Sequence, residues 1–580
     1  MRNSLKILPT QLRGASTHSA MDKKLIRIGI LADSVHATKY VRDIVEWAKS
    51  TPGLAITHLL VHPPRTDILL SRSERLKGKF HKLLTKNGFY AAVSRQIFKA
   101  LIVFEKAQLK RIKRHCDHDT KFDLRGLIPE TIYLSPEISA SGLSYRFNST
   151  DIDRILSIGF DVLIRCGGGI LRGEILSVAK FGVVSFHHAD NRINRGTPAG
   201  FWEVYHQQDT TGFTLQRLSE ELDGGDVLMR GNFPTRHYYL LNQAALYEKS
   251  NYYLRALLAD IAAGKGRPVI PSLPYSERLF RAPLAHQSIA YLGRSILAIA
   301  AKKVRKIRSR SEYWQVSFLR ASWRNSVLWK GTVVPNPPGR YLADPFVISR
   351  NGKDYCFVED YDCAAARGRI SVYQLGVGGA APLGVAIDEP FHLSFPYLFE
   401  YNDALYMCPE SSANRDIRVY RCTDFPMHWK LETTVMSDVS AADTMFFEWQ
   451  GKWWMFTNID PAGTGEICSE LFIFSSTSPL STSWQAHACN PVLVDASRAR
   501  NGGLLRDEGK LFRVSQRQGF DRYGQGSQIN EIVQLSDDVY EEKCIARIDP
   551  AFGSGLLGTH HFHSANNVTV FDSLACGPST

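Results

Sequence analysis

A histidine at the end of an apolar run and an aspartate on a glycine-rich turn are the residues most suited to chemistry in the N-terminal half. The run 182-GVVSFH-187 ends in His187, and 222-LDGG-225 carries Asp223. A carboxylate can orient an imidazole, and the imidazole can then move a proton or stabilise an oxyanion. Glycines beside Asp223 let the backbone approach a ligand closely. Either residue alone is more often structural, so their pairing carries the prediction.

The elements around this pair have the rhythm of an α/β domain. Strands are predicted at 25-LIRIGILAD-33 and 54-LAITHLLVH-62, with a helical pattern between them, and again at 160-FDVLIRC-166. This order predicts a doubly wound α/β domain with a parallel sheet. Ligands of such sheets bind at the carboxyl ends of the strands, where His187 and the glycine run 167-GGG-169 both fall.

The whole line from His187 to Asp223 resembles the formyltransferase family that uses 10-formyltetrahydrofolate. The family pattern recurs here in order and at similar spacing: His187, Arg195-Gly196, Pro198, Trp202, 211-TGFT-214 and 222-LDGG-225. The resemblance covers about residues 25–235. It implies that His187 is catalytic, that Asp223 is its partner carboxylate and that 10-formyltetrahydrofolate donates a formyl group to an amine.

The same resemblance assigns binding roles and exposes one departure. It implies that the folate pocket is lined by Cys166, Gly167, Gly168, Gly169 and Gly224, and that Arg195 and Gly196 contact the substrate. Where the family has asparagine, this chain has Ser185, which becomes the third catalytic candidate. A hydroxyl has a shorter reach than an amide, and losing an oxyanion donor costs about 10² to 10³ in rate. Asn191 and Asn194 are the alternative amide donors.

The C-terminal half consists of short aromatic strands in a repeat. Four lines share a strand, a turn with Gly or Asn-Asp and a second strand: 343-ADPFVISRNGKDYCFVED-360, 395-FPYLFEYNDALYMCPE-410, 442-ADTMFFEWQGKWWMFTN-458 and 501-NGGLLRDEGKLFRVSQ-516. Their starts lie about fifty residues apart, which is the period of propeller blades. A shorter unit at 555–572 is expected to close a β-propeller of five blades.

Carboxylates recur at matching places in these repeats. Asp344 and Asp443 lie on first strands, and Glu359 and Glu410 end second strands. The pattern resembles five-bladed glycoside hydrolase propellers, which implies that Asp344, Glu410 and Asp443 face one another and contact a sugar. Turn capping, sugar binding without cleavage and hydrolysis are the alternatives, in that order. The run 560-HHFH-563 is interpreted as packing between blades, and no metal is expected.

Composition sets the wider limits. The net charge of +13 favours an anionic partner. The basic stretch at 65–114 is interpreted as a solvated helical insertion, with a docking surface for an anionic substrate, membrane or RNA as the alternative. Scattered cysteines and the lack of a membrane-length apolar run predict a cytoplasmic protein, with peripheral association at the inner membrane face. The expected domains are an N-terminal tail (1–24), the formyltransferase-like domain (25–265), a basic helical linker (266–330) and the glycosidase-like propeller (331–580).

Together these features predict a formyltransferase that modifies an amino sugar in glycan or lipopolysaccharide biosynthesis. The acceptor is expected to be a nucleotide-linked sugar or a lipid-linked glycan, and nucleic acid is not the expected partner. One alternative is a glycan-binding or glycoside-processing propeller protein whose formyltransferase domain is degenerate at Ser185. Another is methionyl-tRNA formyltransferase, although that family carries a small barrel after its catalytic domain. A third is a glycan-binding assembly factor without catalysis in either half.

Overall fold

The computed structural model describes residues 25–62, 86–140, 142–221, 224–265, 269–271, 276–307 and 310–578. The chain divides into two compact units, an N-terminal unit (His18–Ala298) and a C-terminal unit (Ile299–Thr580). Each unit has its own hydrophobic core.

The N-terminal unit mixes strands and helices. Its described strands are β1 (Ile26–Ala32), β2 (His36–Thr38), β3 (Leu54–Val61), β4 (Lys121–Asp123), β5 (Glu130–Tyr133), β6 (Glu137–Ile138), β7 (Ser144–Arg146), β8 (Val162–Cys166), β9 (Ile170–Arg172), β10 (Val183–His187), β11 (Arg195–Gly196), β12 (Thr210–Arg217), β13 (Asp226–Pro234) and β14 (Leu279–Phe280). Its described helices are α1 (Lys39–Lys49), α2 (Lys86–Leu109), α3 (Ser149–Ile158), a 3₁₀ turn (Glu174–Ser177), α4 (Phe201–Tyr205) and α5 (Tyr239–Ala262), and α6 (Ala285–Ile307) follows.

A seven-stranded sheet in the order β13-β12-β10-β8-β1-β3-β5 forms the centre of this unit. Strands β10, β8, β1, β3 and β5 run parallel, as predicted for an α/β domain. The sheet is mixed rather than wholly parallel, because β12 pairs antiparallel with both β10 and β13. A short loop joins β12 to β13, and so short a connection can only form a hairpin. Sequence reasoning had described only the parallel part.

Sequence patterns explain how the helices cover this sheet. Helix α1 buries Tyr40, Ile44, Val45 and Ala48, an apolar stripe with helical spacing. Helix α3 begins where the Asn148 side chain accepts a hydrogen bond from the backbone N–H of Asp151, at 2.8 Å, which caps its first turn. Alternate strand residues point to opposite faces, so two cores form, one beneath α1 and α5 and one beneath α3.

The C-terminal unit is all-β, as expected, apart from 3₁₀ turns at Trp323–Asn325, Leu328–Lys330, Ser412–Asn414 and Pro550–Phe552. Its described strands are β15 (Arg310–Leu319), β16 (Thr332–Val334), β17 (Arg340–Arg350), β18 (Lys353–Asp362), β19 (Arg367–Gly376), β20 (Gly379–Ile387), β21 (Ser394–Tyr401), β22 (Ala404–Ser411), β23 (Asp416–Asp424), β24 (His428–Ser437), β25 (Ala441–Trp449), β26 (Lys452–Ile459), β27 (Glu470–Ser476), β28 (Gln485–Ala486), β29 (Leu493–Val494), β30 (Asn501–Asp507), β31 (Lys510–Gly519), β32 (Arg522–Leu535), β33 (Tyr540–Ile548), β34 (Phe562–Ala565) and β35 (Val568–Pro578).

The described strands of this unit form antiparallel sheets in chain order. The first sheet contains β17–β20, the second β21–β24, the third β25–β29 and the fourth β30–β33. The last sheet joins the two ends of the unit, in the order β16-β15-β35-β34. Edge strands β17, β21, β25, β30 and β34 contact one another in that order, and β34 contacts β17 in turn. These contacts close a cycle.

The stretch predicted as a basic helical linker, 266–330, has two kinds of structure. Helix α6 ends at Ile307, and β15 then pairs with β35 along its whole length, from Arg310 to Leu319. Val316, Ser317 and Phe318 of β15 are all buried, so both faces of the strand are covered at this point. No helix among the described residues is long and apolar enough to cross a membrane.

Candidate functional site

The glycine run after β8 is held by a charge pair between buried Arg165 and partly exposed Asp33. Arg165 on β8 donates to Asp33 Oδ1 at 2.9 Å and to the carbonyl of Gly168, and the Gly168 N–H donates to Asp33 Oδ2 at 2.7 Å. A Cβ at Gly167 would collide with the Asp33 carboxylate. Burial and then the Arg165 charge lower the pKa of His62 to about 4, and its Nε2 lies 2.7 Å from Arg165 Nη1. The loop is therefore fixed close to the end of β1.

A cavity of about 230 Å³ opens beside this loop, between the sheet, α1 and α5. Cys166, Gly167 and Ser185 line it, so it includes part of the predicted folate pocket. Its walls are otherwise apolar and aromatic, with a few polar groups. Burial, then the charge of His187, lowers the pKa of the lining residue His188 to about 3, so that His188 is neutral. Such a cavity suits a flat heteroaromatic ring held by few hydrogen bonds.

The predicted catalytic residues lie at the end of β10. Ser185 pairs with Arg165 on one side and Gln216 on the other, and its Oγ donates to the carbonyl of Phe186 at 3.3 Å. His187 lies opposite Thr214 of β12. Asp223 lies outside the described residues, so its pairing with His187 stays a prediction.

The remaining predicted residues lie nearby in the chain. Gly168 and Gly169 continue the loop, and Gly169 has a φ of 78°, which glycine adopts readily. Arg195 and Gly196 form the short strand β11 against β14, where Gly196 packs on the carbonyl of Phe280. Gly224 comes directly after residues 222–223, which lie outside the described residues, and packs against the Glu221 side chain.

The two alternative amide donors differ in their surroundings. The amide of Asn194 donates to Gln208 Oε1 at 2.8 Å and also bonds Glu203, whose pKa burial raises to about 7. Asn191 is completely buried, and neither atom of its amide has a hydrogen-bond partner among the described residues. The Asn191 amide therefore has unused hydrogen-bonding capacity, whereas the amide nitrogen of Asn194 already donates to Gln208.

The three predicted carboxylates of the C-terminal unit come together in one buried cluster. Arg500 bridges two of them, donating to Asp443 Oδ2 at 2.6 Å and to Glu410 Oε2 at 3.2 Å. Asp344 is close enough that the charge of Glu410 raises its pKa. The side chains belong to the first, second and third sheets, which is the convergence that the repeat predicted.

A bulge turns the first strands at these positions. The pairing of β17 with β18 shifts between Ala343 and Phe346, and that of β25 with β26 shifts between Ala442 and Met445. Inside each bulge the aspartate has a φ of 48°, a left-handed conformation that aspartate tolerates better than most residues. The same bulge in β21 places Phe395 at a φ of 46°.

Burial and neighbouring charges shift the pKa values of these carboxyl groups in different directions. Burial opposes ionisation of Glu410, but the Arg500 guanidinium outweighs it and lowers the pKa of Glu410. Burial raises the pKa of Asp344 to about 6, with the nearby charges of Asp572 and Glu410 adding to the rise and His560 opposing it. Burial, together with neighbouring carboxylates, also raises the pKa of Glu359 well above its usual range. Carboxyl groups with separated pKa values can act as acid and base.

A histidine–aspartate pair from the last sheet completes the floor of the cluster. His560 Nδ1 lies 2.7 Å from Asp572 Oδ2, and its Nε2 lies 3.4 Å from Asp344 Oδ1. The backbone N–H groups of His560 and His561 donate to Asp572 Oδ1 at 2.9 and 3.0 Å. One ligand atom from each of Asp344, His560 and Asp572 falls within 4.8 Å of the others, a grouping that could hold a cation.

The rim of the cluster is aromatic and partly exposed. His392 Nε2 lies 3.6 Å from Glu359 Oε1, and its Nδ1 accepts a hydrogen bond from the Gly368 N–H. Tyr361 packs edge-on against His392 and stacks on Tyr341. Tyr523 is 41% exposed, and its ring lies 5.4 Å from the Arg500 guanidinium. We call the buried carboxylates and this rim the acidic cavity.

Sequence reasoning missed Arg500, Gln516, Tyr523 and Asp572, and interpreted His560 as packing. Gln516 donates to Asp443 Oδ2 at 2.8 Å. Arg500 directly precedes the fourth repeat line and Gln516 ends it, so the register of the repeat was the available signal. Tyr523 is the second residue of β32, outside the repeated strands, and nothing in the sequence singled it out.

Comparisons with known proteins find similarity to two groups of proteins. The family model "Glucosamine inositolphosphorylceramide transferase 1, N-terminal" matches residues 320–549. Glucosamine inositolphosphorylceramide transferase 1 of Oryza sativa subsp. japonica is 35% identical over 210 residues, which is 35% of this chain. The protein of the same name from Arabidopsis thaliana is 36% identical over 211 residues. The chain spans only 28% of the rice relative and 27% of the Arabidopsis one.

Methionyl-tRNA formyltransferase of Ehrlichia ruminantium (strain Welgevonden) is 20% identical over 235 residues, covering 36% of this chain and 73% of that protein. Among solved structures, the α-L-arabinofuranosidase PaAbf62A from Podospora anserina aligns over 41% of this chain and 92% of its own, with 10% identity and a TM-score of 0.32. The named relatives are transferases.

Proposed function

We propose that this protein N-formylates an amino sugar of a glycan. In this proposal the C-terminal unit is a five-bladed propeller that binds the sugar in the acidic cavity. The N-terminal unit transfers the formyl group. The observation that carries the proposal is the convergence of Asp344, Glu410 and Asp443 beneath a rim of tyrosines.

The acidic cavity has the two features that saccharide recognition needs. Buried carboxylates and Gln516 offer acceptors for hydroxyl and amine donors, and charge-assisted hydrogen bonds are the strong ones. Tyr523 offers an aromatic face, 41% exposed, to the apolar face of a pyranose ring. A cluster that served only to cap turns would need neither the exposed ring nor the inward bulges at Asp344 and Asp443.

The N-terminal unit supports formyl transfer through the loop and cavity at the ends of β8 and β10. Cys166, Gly167 and Ser185 would hold 10-formyltetrahydrofolate, which supplies the formyl group when bound. His187 would take the proton of the attacking amine and pass it to the folate nitrogen as the bond from that nitrogen to the formyl carbon breaks, and Asp223 would orient the imidazole. Asn191 would donate to the formyl oxygen in place of the family's asparagine, with the Ser185 hydroxyl as a second donor.

The names of the relatives support an amino sugar as the acceptor. The plant relatives are named for glucosamine, an amino sugar, and for inositolphosphorylceramide, a lipid. The bacterial relative is named for formyl transfer. An acceptor amine on a lipid-linked glycan or nucleotide sugar would be consistent with both names. A phosphate group on that acceptor would suit the net charge of +13. Such a reaction belongs at the cytoplasmic face of a membrane.

The test is a transfer assay with the full chain. The protein is incubated with 10-formyltetrahydrofolate and a glucosamine oligosaccharide, and mass spectrometry detects a sugar that has gained a formyl group. We expect turnover by the wild type, its loss in His187→Ala and its decline in Asn191→Ala, whereas Asn194→Ala keeps most activity. Calorimetry with 5-formyltetrahydrofolate runs alongside. A folded protein that neither binds this analogue nor formylates any amino sugar would refute formyl transfer.

A second candidate is glycoside processing by the acidic cavity. The separation of pKa values between Asp344, raised to about 6, and Glu410, lowered by Arg500, favours it. One carboxyl would protonate the leaving oxygen and another would activate water. Release of reducing sugar from an oligosaccharide, abolished in Asp344→Asn, would establish this activity.

A further inference from the structure

The acidic cavity holds more acids than cations. Its buried acidic residues are Asp344, Glu359, Glu410, Asp443 and Asp572. Arg500 and His560 face them as cations, and the neighbouring carboxylates keep the pKa of His560 above its usual value in spite of burial. Burial lowers the pKa of both His392 and His561, so these two add no positive charge near neutral pH.

The excess of acid leaves protons on the cluster. Burial and the charges of Asp344 and Glu410 raise the pKa of Glu359, and burial and Glu410 raise that of Asp443 even though Arg500 opposes the rise. Carboxyl groups that cannot all ionise together share protons. A cation that entered the cavity would stabilise the ionised forms and displace those protons.

The floor of the cavity also contains acceptors that no described residue satisfies. Asp344 Oδ1 and Gln516 Oε1 are buried, and neither accepts a hydrogen bond from a residue that the structure describes. His560 Nε2 is 3.4 Å from Asp344 Oδ1, beyond a good hydrogen bond. Buried acceptors of this kind call for a donor from outside the described residues, such as a ligand, a water molecule or an ion. The ring of Tyr523 lies against the Arg500 guanidinium and is partly exposed to solvent.

We propose that the acidic cavity recognises the protonated amine of an amino sugar and rejects the same sugar once the amine is acylated. The ammonium group binds between Asp344 and Glu410, and the sugar ring stacks on Tyr523. An amide is neutral, so an N-acyl sugar leaves the buried carboxylates without their cation. This inference rests on the glycan-binding part of the proposed function, and it makes the formylated product a weaker ligand than its precursor.

Calorimetry on the full chain without folate tests this selectivity. The probes are a glucosamine tetrasaccharide, its N-acetylated form and cellotetraose. We expect the glucosamine form to bind at least about tenfold more tightly than either neutral sugar. Titration in two buffers of different ionisation enthalpy should show proton release for the glucosamine form alone. Equal affinities for the three sugars would overturn amine recognition while leaving glycan binding intact, and a failed formyl-transfer assay would leave both untouched.

Variants separate the parts of the site. Asp344→Asn should abolish the preference for the amine, while Asp438→Asn, on an exposed loop of the same unit, should keep it. Tyr523→Ala should weaken all three sugars and Tyr523→Phe should not. Calcium and magnesium chloride, titrated alone, form the last arm. Tight metal binding that blocks the glucosamine probe would reassign the cavity to a metal ion and overturn the proposal.

Discussion

Arg500 is the buried cation on which the acidic cavity depends, and its removal should be costly. Its guanidinium is buried and bonds both Asp443 and Glu410, so Arg500→Met leaves two carboxylates without their partner. Breaking a buried ion pair on one side costs about 3–5 kcal/mol of unfolding free energy. The matched control is Arg415→Met, whose pair with Asp438 is 57% and 51% exposed and should cost under about 1 kcal/mol.

The cost of Arg500→Met should also depend on pH. Arg500 lowers the pKa of Glu410, so its stabilisation is present above the ordinary carboxyl pKa and is lost as pH falls through the lowered value. In the variant both carboxylates resist ionisation, so its stability falls as pH rises. The difference from the wild type should therefore be largest at pH 7 to 8 and shrink towards pH 4.

Urea unfolding followed by tryptophan fluorescence measures this effect. All of the ten tryptophans except Trp47 and Trp202 lie in the C-terminal unit, so the signal reports mainly on that unit. An Arg500→Met cost no larger than that of Arg415→Met, or one that does not change with pH, would refute the ionic account of the cluster.

Three further predictions concern both units. Asp344→Asn should raise the melting temperature at pH 8. Burial holds the pKa of Asp344 at about 6, so its ionisation opposes folding by about 3 kcal/mol. The gain should vanish below pH 4, and a lower melting temperature of the variant at pH 8 would contradict the prediction. Gly167→Ala should abolish 5-formyltetrahydrofolate binding because its Cβ collides with Asp33, whereas Gly168→Ala, with 3.7 Å to the same carboxylate, should bind normally in the same titration. Ser185→Asn should raise the rate of formyl transfer, up to about 10²-fold, if the family amide is the better donor; an unchanged rate would assign that role to Asn191.

Much of the fold was predictable because local patterns agree with it. Strands β1, β3 and β8 are apolar throughout because both of their faces are buried. Helix α1 has an apolar stripe because only one of its faces is buried. The antiparallel hairpin β12–β13 was missed because its strands carry the same apolar character as parallel ones. β15 was missed because its pairing partner, β35, lies at the other end of the unit, and no local pattern records so distant a contact.

The candidate sites were predictable to different depths. The repeat placed Asp344 and Asp443 at equivalent positions on first strands and Glu410 near the end of a second strand, and the cycle of edge strands brings these strands together. Arg500 and Asp572 reach their charge partners only through the fold. Arg500, at the start of the fourth sheet, donates to Asp443 of the third sheet and to Glu410 of the second. Apart from the place of Arg500 directly before the fourth repeat line, sequence spacing carries no information about these contacts. The pairing of His187 with Asp223 stays a prediction.

The backbone bulges at Asp344, Phe395 and Asp443 set the direction of these side chains, whichever residue occupies the position. In three successive sheets the residue inside the bulge has the same left-handed conformation. This residue is an aspartate in the first and third sheets and the buried Phe395 in the second. A phenylalanine strains that backbone more than an aspartate or asparagine does. The bulge of the second sheet is therefore a candidate position for redesign. A single replacement of Phe395 would introduce a new functional group there without any change of the backbone.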